Sequence, residues 1–351
     1  MMKKKIVVGM SGGVDSSVAA YLLKKEGHEV IGLFMKNWDE EDEHCPASKD
    51  FEDVAAVCEK LNIPYYAVNF TQEYKDSVFE DFLEEYGAGY TPNPDVLCNR
   101  EIKFKVFLEK AGSLGADFLA TGHYAQIDSD YNLLKGFDQD KDQTYFLHAL
   151  SKEVLKKVLF PIGHLPKSQV RQIAREASLP TSEKKDSTGI CFIGERNFKP
   201  FLQNFIGTRS GNFENLKGEI VGQHDGLSFY TIGQRKGVGI GGAAQAYYVV
   251  GKDIERNVVL VEQGNDHPAL FSCGLQAEKL SWITPPPSVP FSCKAKVRHR
   301  QEDVPCEIEA LSEGTVLVLF SRPLRAIAPG QFIVFYDGSI CLGGGRIRKS
   351  L

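Results

Sequence analysis

Gly9-Met10-Ser11-Gly12-Gly13-Val14-Asp15-Ser16-Ser17 is the stretch on which the fold turns. The apolar run 6–10 that leads into it reads as a buried strand, and Val18, Tyr21 and Leu22 after it recur at helical spacing. A loop between a strand and a helix N-terminus turns main-chain N–H groups toward an anion. Gly12 and Gly13 let a phosphate reach the main chain without meeting a Cβ. Ser11, Ser16 and Ser17 add hydroxyl donors, and Asp15 is placed to hold Mg²⁺ through bound phosphates. The plainer alternative is an ordinary strand-to-helix turn capped by Asp15 or Ser16, with no ligand. So many specified residues at one junction weigh against it, and the missing Gly-Lys-Ser/Thr ending excludes a Walker-type kinase or GTPase.

The same stretch resembles the PP-loop, SGGxDS, of the ATP pyrophosphatases. That resemblance implies cleavage of ATP between the α- and β-phosphates, with AMP passed to an oxygen of a substrate that the loop alone leaves open.

The chain has 351 residues, more than one typical domain, so two or three are expected. A formal charge of −5 argues against a protein that coats nucleic acid indiscriminately, while leaving room for local basic patches. Lys3-Lys4-Lys5 before a short apolar run mimics a signal peptide, but the run passes straight into the phosphate loop. No apolar stretch approaches the roughly 18 residues of a membrane span, so a cytoplasmic protein with no membrane association is expected. The eight cysteines (45, 58, 98, 191, 273, 293, 306, 341) are scattered, without metal-ligand spacing.

Through about residue 125, strands at 28–35, 65–70 and 117–121 alternate with helices near 50–61, 72–86 and 99–114. This pattern predicts an α/β fold with a doubly wound parallel sheet and ligands at the carboxyl ends of its strands. Met35, at one such end, can meet a nucleotide base or serve as a core methionine. The loop 36–49, with its acidic run 39–43, reads as solvated. Thr91-Pro92-Asn93-Pro94-Asp95 is rigid turn chemistry leading to Cys98, expected at a helix N-terminus where the dipole favours a thiolate. The alternative is a buried cysteine with Asp95 only closing the turn. Cys191 lies between a basic, hydroxyl-rich loop and a Phe-Ile-Gly turn, and Lys184, Lys185 and Arg196 would activate it if close in space. A packed loop cysteine is the competing reading.

From about residue 205 the texture becomes β-like and glycine-rich, predicting a small central β-rich domain over 205–274 after an ATP-binding domain over 1–204. Within it, Arg235 and Lys236 in the run 229–242 are on display for a phosphate backbone or belong to a plain hairpin. Ser281 to Pro287 reads as a stiff linker, and alternating strands after it suggest a C-terminal β-barrel over 275–351. Lys294, Lys296, Arg298 and Arg300 are expected on one strand face, suited to RNA.

The chain closely resembles the tRNA-specific 2-thiouridylases, the MnmA family, nearly end to end: GMSGGVDSSVAA, LFMKNW, TPNPDVLCNREIKF, ATGHYA, KDQTYFL, FPIGHLPKSQVR, KKDSTGICFIGERNF, YTIGQRKGVGIGG, VRHRQEDVPC and APGQFIVFY. The two cysteine motifs together are specific to that family. The resemblance implies a monomeric, three-domain enzyme that uses ATP and Mg²⁺ to adenylate oxygen 2 of the wobble uridine in glutamate, glutamine and lysine tRNAs. Sulfur would arrive from a persulfide donor protein onto Cys191, with Cys98 as nucleophile and Asp95 as general acid/base. The nucleotide would contact Gly9, Met10, Ser11, Gly12, Gly13, Val14, Asp15, Ser16, Met35 and Gly122. Asn93, Pro94 and Asp95 would face the target base, and His123, Lys141, Asp142, Gln143, Arg298, His299 and Gln331 would contact tRNA. His299 stands where a tyrosine is expected and Gln126 where relatives often carry a basic residue. Two other classes stay in view: a small-molecule PP-loop ligase and a non-catalytic nucleotide- and RNA-binding module.

Overall fold

The structure, a computed structural model, describes residues 2–38, 46–186, 198–242, 244–312 and 314–351. Cys45, the acidic run 39–43, and Cys191 with its motif from 187 to 197 lie outside the described residues. The first half of the chain contains strands β1 (Lys5–Met10), β2 (Glu29–Lys36), β3 (Tyr65–Asn69), β4 (Phe118–Ala120), β5 (Ala125–Ile127), β6 (Leu133–Lys135) and β7 (Val158–Leu159). A five-stranded sheet forms in the order β3-β2-β1-β4-β7, parallel throughout. Both faces are covered: Val7, Leu33 and Leu119 join one core, while Ile6, Val8, Met10 and Ala120 join the other. This is why the strands read as continuous apolar runs, and it establishes the doubly wound α/β class.

Helices α1 (Val14–Lys25), α2 (Pro46–Leu61), α3 (Thr71–Tyr74), α4 (Glu80–Gly87), α5 (Pro94–Leu97) and α6 (Phe107–Ser113) follow. Wider π turns, Lys75–Phe79 and Cys98–Val106, make continuous helical runs of 71–87 and 94–113. The second run corrects the helix expected to begin near residue 99: it begins at Pro94, before Cys98. Asn93 caps it, its Oδ1 accepting from the Asp95 N–H at 3.2 Å, and Pro94 takes the first position. Asn-Pro suits a helix start because proline lacks the N–H that would go unpaired there. Cys98 therefore sits one turn inside the helix and is 3 % exposed. Short helices α7 (Thr144–Leu147) and α8 (Lys152–Leu155), then α9 (Lys167–Glu176) and α10 (Phe198–Gln203), complete this half.

Strands β8 (Gly211–Glu214), β9 (Ile220–His224), β10 (Tyr247–Asp253) and β11 (Val258–Gln263) form a four-stranded sheet over a core of Phe213, Tyr230, Val249, Val259 and Val261. Next come β12 (Phe271–Trp282), β13 (Phe291–Lys296), β14 (Val304–Ser312), β15 (Thr315–Arg325), β16 (Phe332–Asp337) and β17 (Ile340–Ser350). They run β12-β15-β14-β13-β16-β17 and close through β12–β17 pairing into a barrel around Leu275, Val304, Val318, Ile333 and Phe335. Because β12 reaches Trp282, the proline-rich stretch joins two strands of this barrel rather than two domains.

Two features were not anticipated. The hairpin β5–β6, from the first half of the chain, pairs with β17 and extends the barrel sheet. The expected row of four cations does not form: β13 ends at Lys296, leaving Arg298 and Arg300 in the turn beyond it. Lys296 itself is 7 % exposed, 3.7 Å from Asp142 and 3.7 Å from Asp303.

Candidate active site

The phosphate loop is built as its sequence requires. Gly12 has φ +72°, and a Cβ on it would stand 2.6 Å from the carbonyl oxygen of Asp50. Gly122, after β4, packs so tightly on the start of α1 that a Cβ would lie 2.7 Å from the Ser16 nitrogen. Ser17 Oγ donates to the Gly13 carbonyl at 2.8 Å, and the Ser11 N–H donates to Ser16 Oγ at 3.2 Å. The N–H groups from Gly12 to Ser16 have no acceptor among the described residues, as a helix-start anion cradle requires. Val14, the first residue of α1, is buried, and Met10 and Met35 lie at the carboxyl ends of adjacent parallel strands.

Asp15 is the most connected side chain of the loop. Tyr124 Oη donates to its Oδ1 at 2.8 Å, and Lys167 Nζ donates to Oδ1 and Oδ2 at 2.7 and 2.8 Å. Lys167 also reaches Asp186 at 2.8 Å, where Arg171 and Lys141 converge at 2.8 and 2.9 Å. Burial opposes ionisation of Asp186, but hydrogen bonds from Lys167 and Lys141 hold its pKa down at about 2. Residue-type patterning gave no sign of Tyr124 or Lys167; their only signal was position, directly after Gly-His and at the start of α9.

Asp95 and Cys98 lie three positions apart on one helical run, so both project from the same face. Gly9 of β1 packs on the same run, 3.0 Å from Phe107 Cε1 at the position of a Cβ, which sets the run directly against the phosphate-loop strand. Burial pushes the Asp95 carboxyl above its ordinary range, and the charges of Lys103 and His299 pull the other way. Lys103, not singled out in sequence, thus acts on the acid. His123 is held by a 2.7 Å contact between Thr121 Oγ1 and Nδ1, with its ring tilted against that of Phe104 and edge-on to that of Phe160; burial keeps it neutral, aided by Lys103.

The remaining candidate contacts gather where the barrel meets this domain. His299 Nε2 donates to the Asp142 carbonyl at 2.8 Å, and its ring lies 4.4 Å from that of Phe146. The Asp142 carboxylate is 2 % exposed and turns inward, accepting from the Gly136 N–H at 3.1 Å and from Thr144 Oγ1 at 2.9 Å. Gln143 and Tyr124 bond reciprocally, each main-chain or side-chain oxygen accepting at 3.0 Å. Arg298 donates to the carbonyls of Ile232 and Ala326 at 3.2 and 2.8 Å, sewing the central domain to the barrel. Gln331 donates to the Thr91 carbonyl at 2.7 Å, bracing the turn that carries Asn93 and Pro94. Gln126 donates to the Lys135 carbonyl at 2.9 Å and pins the β5–β6 hairpin.

Among the described residues no cluster of His, Cys, Asp and Glu could cage a metal, and no helix is long and apolar enough to cross a membrane. The family model described as "tRNA methyl transferase HUP domain" matches residues 4–195. Models described as "tRNA methyl transferase PRC-barrel domain" and "Aminomethyltransferase beta-barrel domain" match 199–263 and 272–347. The tRNA-specific 2-thiouridylase MnmA of Protochlamydia amoebophila (strain UWE25) is 58% identical over 99% of this chain and 94% of its own length. That of Lysinibacillus sphaericus (strain C3-41) is 58% identical over 98% of this chain and 94% of its own. Among solved structures, U34-tRNA thiolase NcsA from Methanococcus maripaludis aligns with TM-score 0.37 at 21% identity, over 57% of this chain and 63% of its own. The domain descriptions speak of methyl transfer, whereas the relatives matched from end to end are thiouridylases. Identity of this level over nearly the whole length decides between them, and the chain belongs to the family of tRNA-specific 2-thiouridylases, which uses ATP through its PP-loop.

Proposed function

We propose that this protein is an ATP-dependent tRNA-uridine 2-sulfurtransferase that converts the wobble uridine of glutamate, glutamine and lysine tRNAs to 2-thiouridine in the cytoplasm. The observation that carries the reading is the contact between the phosphate-loop strand and the helical run bearing Asp95 and Cys98. An adenylating loop and an acid–thiol pair on adjoining elements fit a reaction in which activation and substitution occur at one carbon.

Oxygen is a poor leaving group at carbon 2 of uracil. Attack of that oxygen on the α-phosphorus of ATP forms the adenylate and releases pyrophosphate, the N–H groups of Gly12 to Ser16 receiving the phosphate charge. Asp15, with its carboxylate 31% exposed beside that cradle, fits as the protein's contact to Mg²⁺ held by the phosphates. When bound, the cation supplies charge neutralisation for the departing pyrophosphate. Sulfur comes from a donor protein as a persulfide on Cys191. The Cys98 thiolate attacks the Cys191 sulfur, forming a disulfide and expelling hydrosulfide, which displaces AMP from carbon 2. A thiol reductant supplies the two electrons that return the disulfide to two thiols. Asp95, protonated more readily than an ordinary carboxyl, gives the proton that neutralises the departing charge and takes it back from the incoming sulfur nucleophile. Asn93 and Pro94 flank the base, and Lys141, His123, Gln143, Arg298, His299 and Gln331 surround it as the tRNA surface.

The test incubates the protein with ATP, unmodified tRNA and a persulfide donor, then weighs the digested nucleosides. Wild type yields 2-thiouridine and Cys191→Ser yields none. Undiminished thiouridine with Cys191→Ser, or ATP cleavage that needs neither RNA nor either cysteine, contradicts the proposal; the latter is the behaviour of a small-molecule ligase.

A further inference from the structure

Residues 88–92 join the helical run 71–87 to the run that carries Asp95 and Cys98, and they are held from two other domains at once. From the barrel, the Pro329 carbonyl accepts the Thr91 N–H at 3.0 Å, and Gln331 Nε2 donates to the Thr91 carbonyl at 2.7 Å. The approach is close, since Gly330 has φ +90° and a Cβ on it would lie 2.8 Å from the Thr91 nitrogen. From the central domain, Lys252 Nζ of β10 donates to the Gly89 carbonyl at 2.7 Å, and Ser228 Oγ donates to the Tyr86 carbonyl at 2.7 Å. The hydroxyls of Thr231 and Thr91 meet at 3.2 Å. Gly89 has φ +81° and ends the preceding run, and a Cβ on it would stand 3.0 Å from Leu227 Cδ2 and 3.2 Å from Ile254 Cδ1 of the central domain.

Lys252 is a costly donor for a carbonyl. Among the described residues no carboxylate lies within ion-pair distance of it, and burial alone pushes its amine down to about 8. A neutral side chain could satisfy the Gly89 carbonyl without that penalty. The lysine adds a charge-assisted bond, about twice as strong as a neutral one, at the linker that leads into the Asn93 cap. Thr231 is followed by Ile232, whose carbonyl accepts from Arg298 at 3.2 Å, so this hold is continuous with the barrel turn assigned to the tRNA surface.

We propose that Lys252, assisted by Thr231, is a positioning residue for the thiolation site: from the central domain it presses the linker 88–92 against the barrel and so fixes the Asn93–Cys98 turn, with the Asp95 carboxyl and the Cys98 thiol, against the phosphate-loop strand. The inference rests on the reading of Asp95 and Cys98 as acid and nucleophile of this reaction. Its consequence is that the central domain serves the chemical step as well as RNA binding.

The test compares full-length wild type with Lys252→Met, Lys252→Arg, Thr231→Val and Thr231→Ser. In the first measurement, without tRNA or ATP, iodoacetamide labelling of Cys98 and Cys58 is followed by peptide mass. Loss of the charge-assisted bond in Lys252→Met is expected to speed Cys98 labelling about tenfold by local opening, with Cys58, in the other core, still spared. In the second, thiouridine formation by Lys252→Met is expected to show kcat lowered about tenfold and KM for tRNA and ATP within about twofold. Its Asp95-dependent limb moves toward lower pH, because a loosened turn admits water and relieves the burial that raises that carboxyl. Lys252→Arg recovers most of both losses. Thr231→Val changes both measurements in the same direction by about threefold, the worth of a neutral hydrogen bond, and Thr231→Ser recovers them. Thr231→Val carries the test if Lys252→Met labels Cys58, the sign of a lost fold. Unchanged Cys98 labelling, a rise in KM with kcat intact, or Cys58 labelled alongside Cys98 in both Lys252→Met and Thr231→Val overturns the assignment. Absence of thiouridine with the wild type, alongside Lys252-dependent protection of Cys98, overturns the thiolation reading alone.

Discussion

The phenol of Tyr124 donates to Asp15 Oδ1 at 2.8 Å, while the main-chain N–H of Tyr124 donates to Gln143 Oε1 at 3.0 Å. One residue thus joins the phosphate loop to the segment whose Asp142 carbonyl receives the His299 ring of the barrel. Burial, then the charge of Asp15, pushes the phenol far above its ordinary pKa, so it remains a donor at every working pH. Tyr124→Phe keeps the ring and loses only that bond. It is expected to cost about 1.5–3 kcal/mol, the range for a hydrogen bond to a charged partner, read from the urea unfolding midpoint.

Asp142 lies beside Lys296, and Lys135 bonds Asp303 on the other side of the same group, with both ammonium groups over the Tyr336 ring. Removing one member of a buried charged network leaves the rest uncompensated. Asp142→Ala is expected to destabilise the chain by about 3–5 kcal/mol and to expose the barrel–domain junction to limited proteolysis before the rest of the molecule. A variant with wild-type unfolding would show that the network carries no net stability.

The raised pKa of Asp95 has a fixed sign. Between the ordinary carboxyl value and the folded value the native state holds a proton that the unfolded chain has lost, so this contribution to stability falls as pH rises through that window and is flat above it. Protonated Asp95 also declines through the folded value. Lys103→Met removes a cation that favours the carboxylate, and moves the Asp95-dependent limb of the pH–rate profile upward. Asp95→Asn abolishes that limb and lowers kcat while ATP affinity holds.

Thiol chemistry separates the cysteines. Burial, and then Glu59, pushes Cys58 up to about 12, and burial likewise raises Cys341, whereas Cys273 is exposed. Iodoacetamide at pH 8, read by peptide mass, is expected to label Cys273 in the native protein and to spare Cys58 and Cys341 until denaturant is added. Native labelling of Cys58 or Cys341 at the rate of Cys273 would contradict the burial described.

Much of this architecture is legible in the sequence because its signals are local. The apolar run ending at Met10 and the glycines after it dictate a strand, a turn and a phosphate cradle, and Gly12 adopts the positive φ that its type allows. The hairpin β5–β6 escaped because three-residue strands carry no period, and their partner β17 lies two hundred residues away in a different domain. The start of the helix before Cys98 was misplaced because a turn signal, Asn-Pro, is also a cap signal, and only packing decides between them. The cation row failed for a tertiary reason: alternation gives a strand face but not where the strand ends, nor that Asp142 and Asp303 approach Lys296 from other segments. Lys167 was illegible for the same reason, since its partner Asp15 is far away in sequence.

The central claim is that the adenylate serves as the leaving group for sulfur, and an oxygen label follows that step directly. With tRNA carrying ¹⁸O at position 2 of the target uridine, mass spectrometry of the products is predicted to find the label in AMP, one labelled AMP for each 2-thiouridine formed. Thiouridine formed with unlabelled AMP would contradict it.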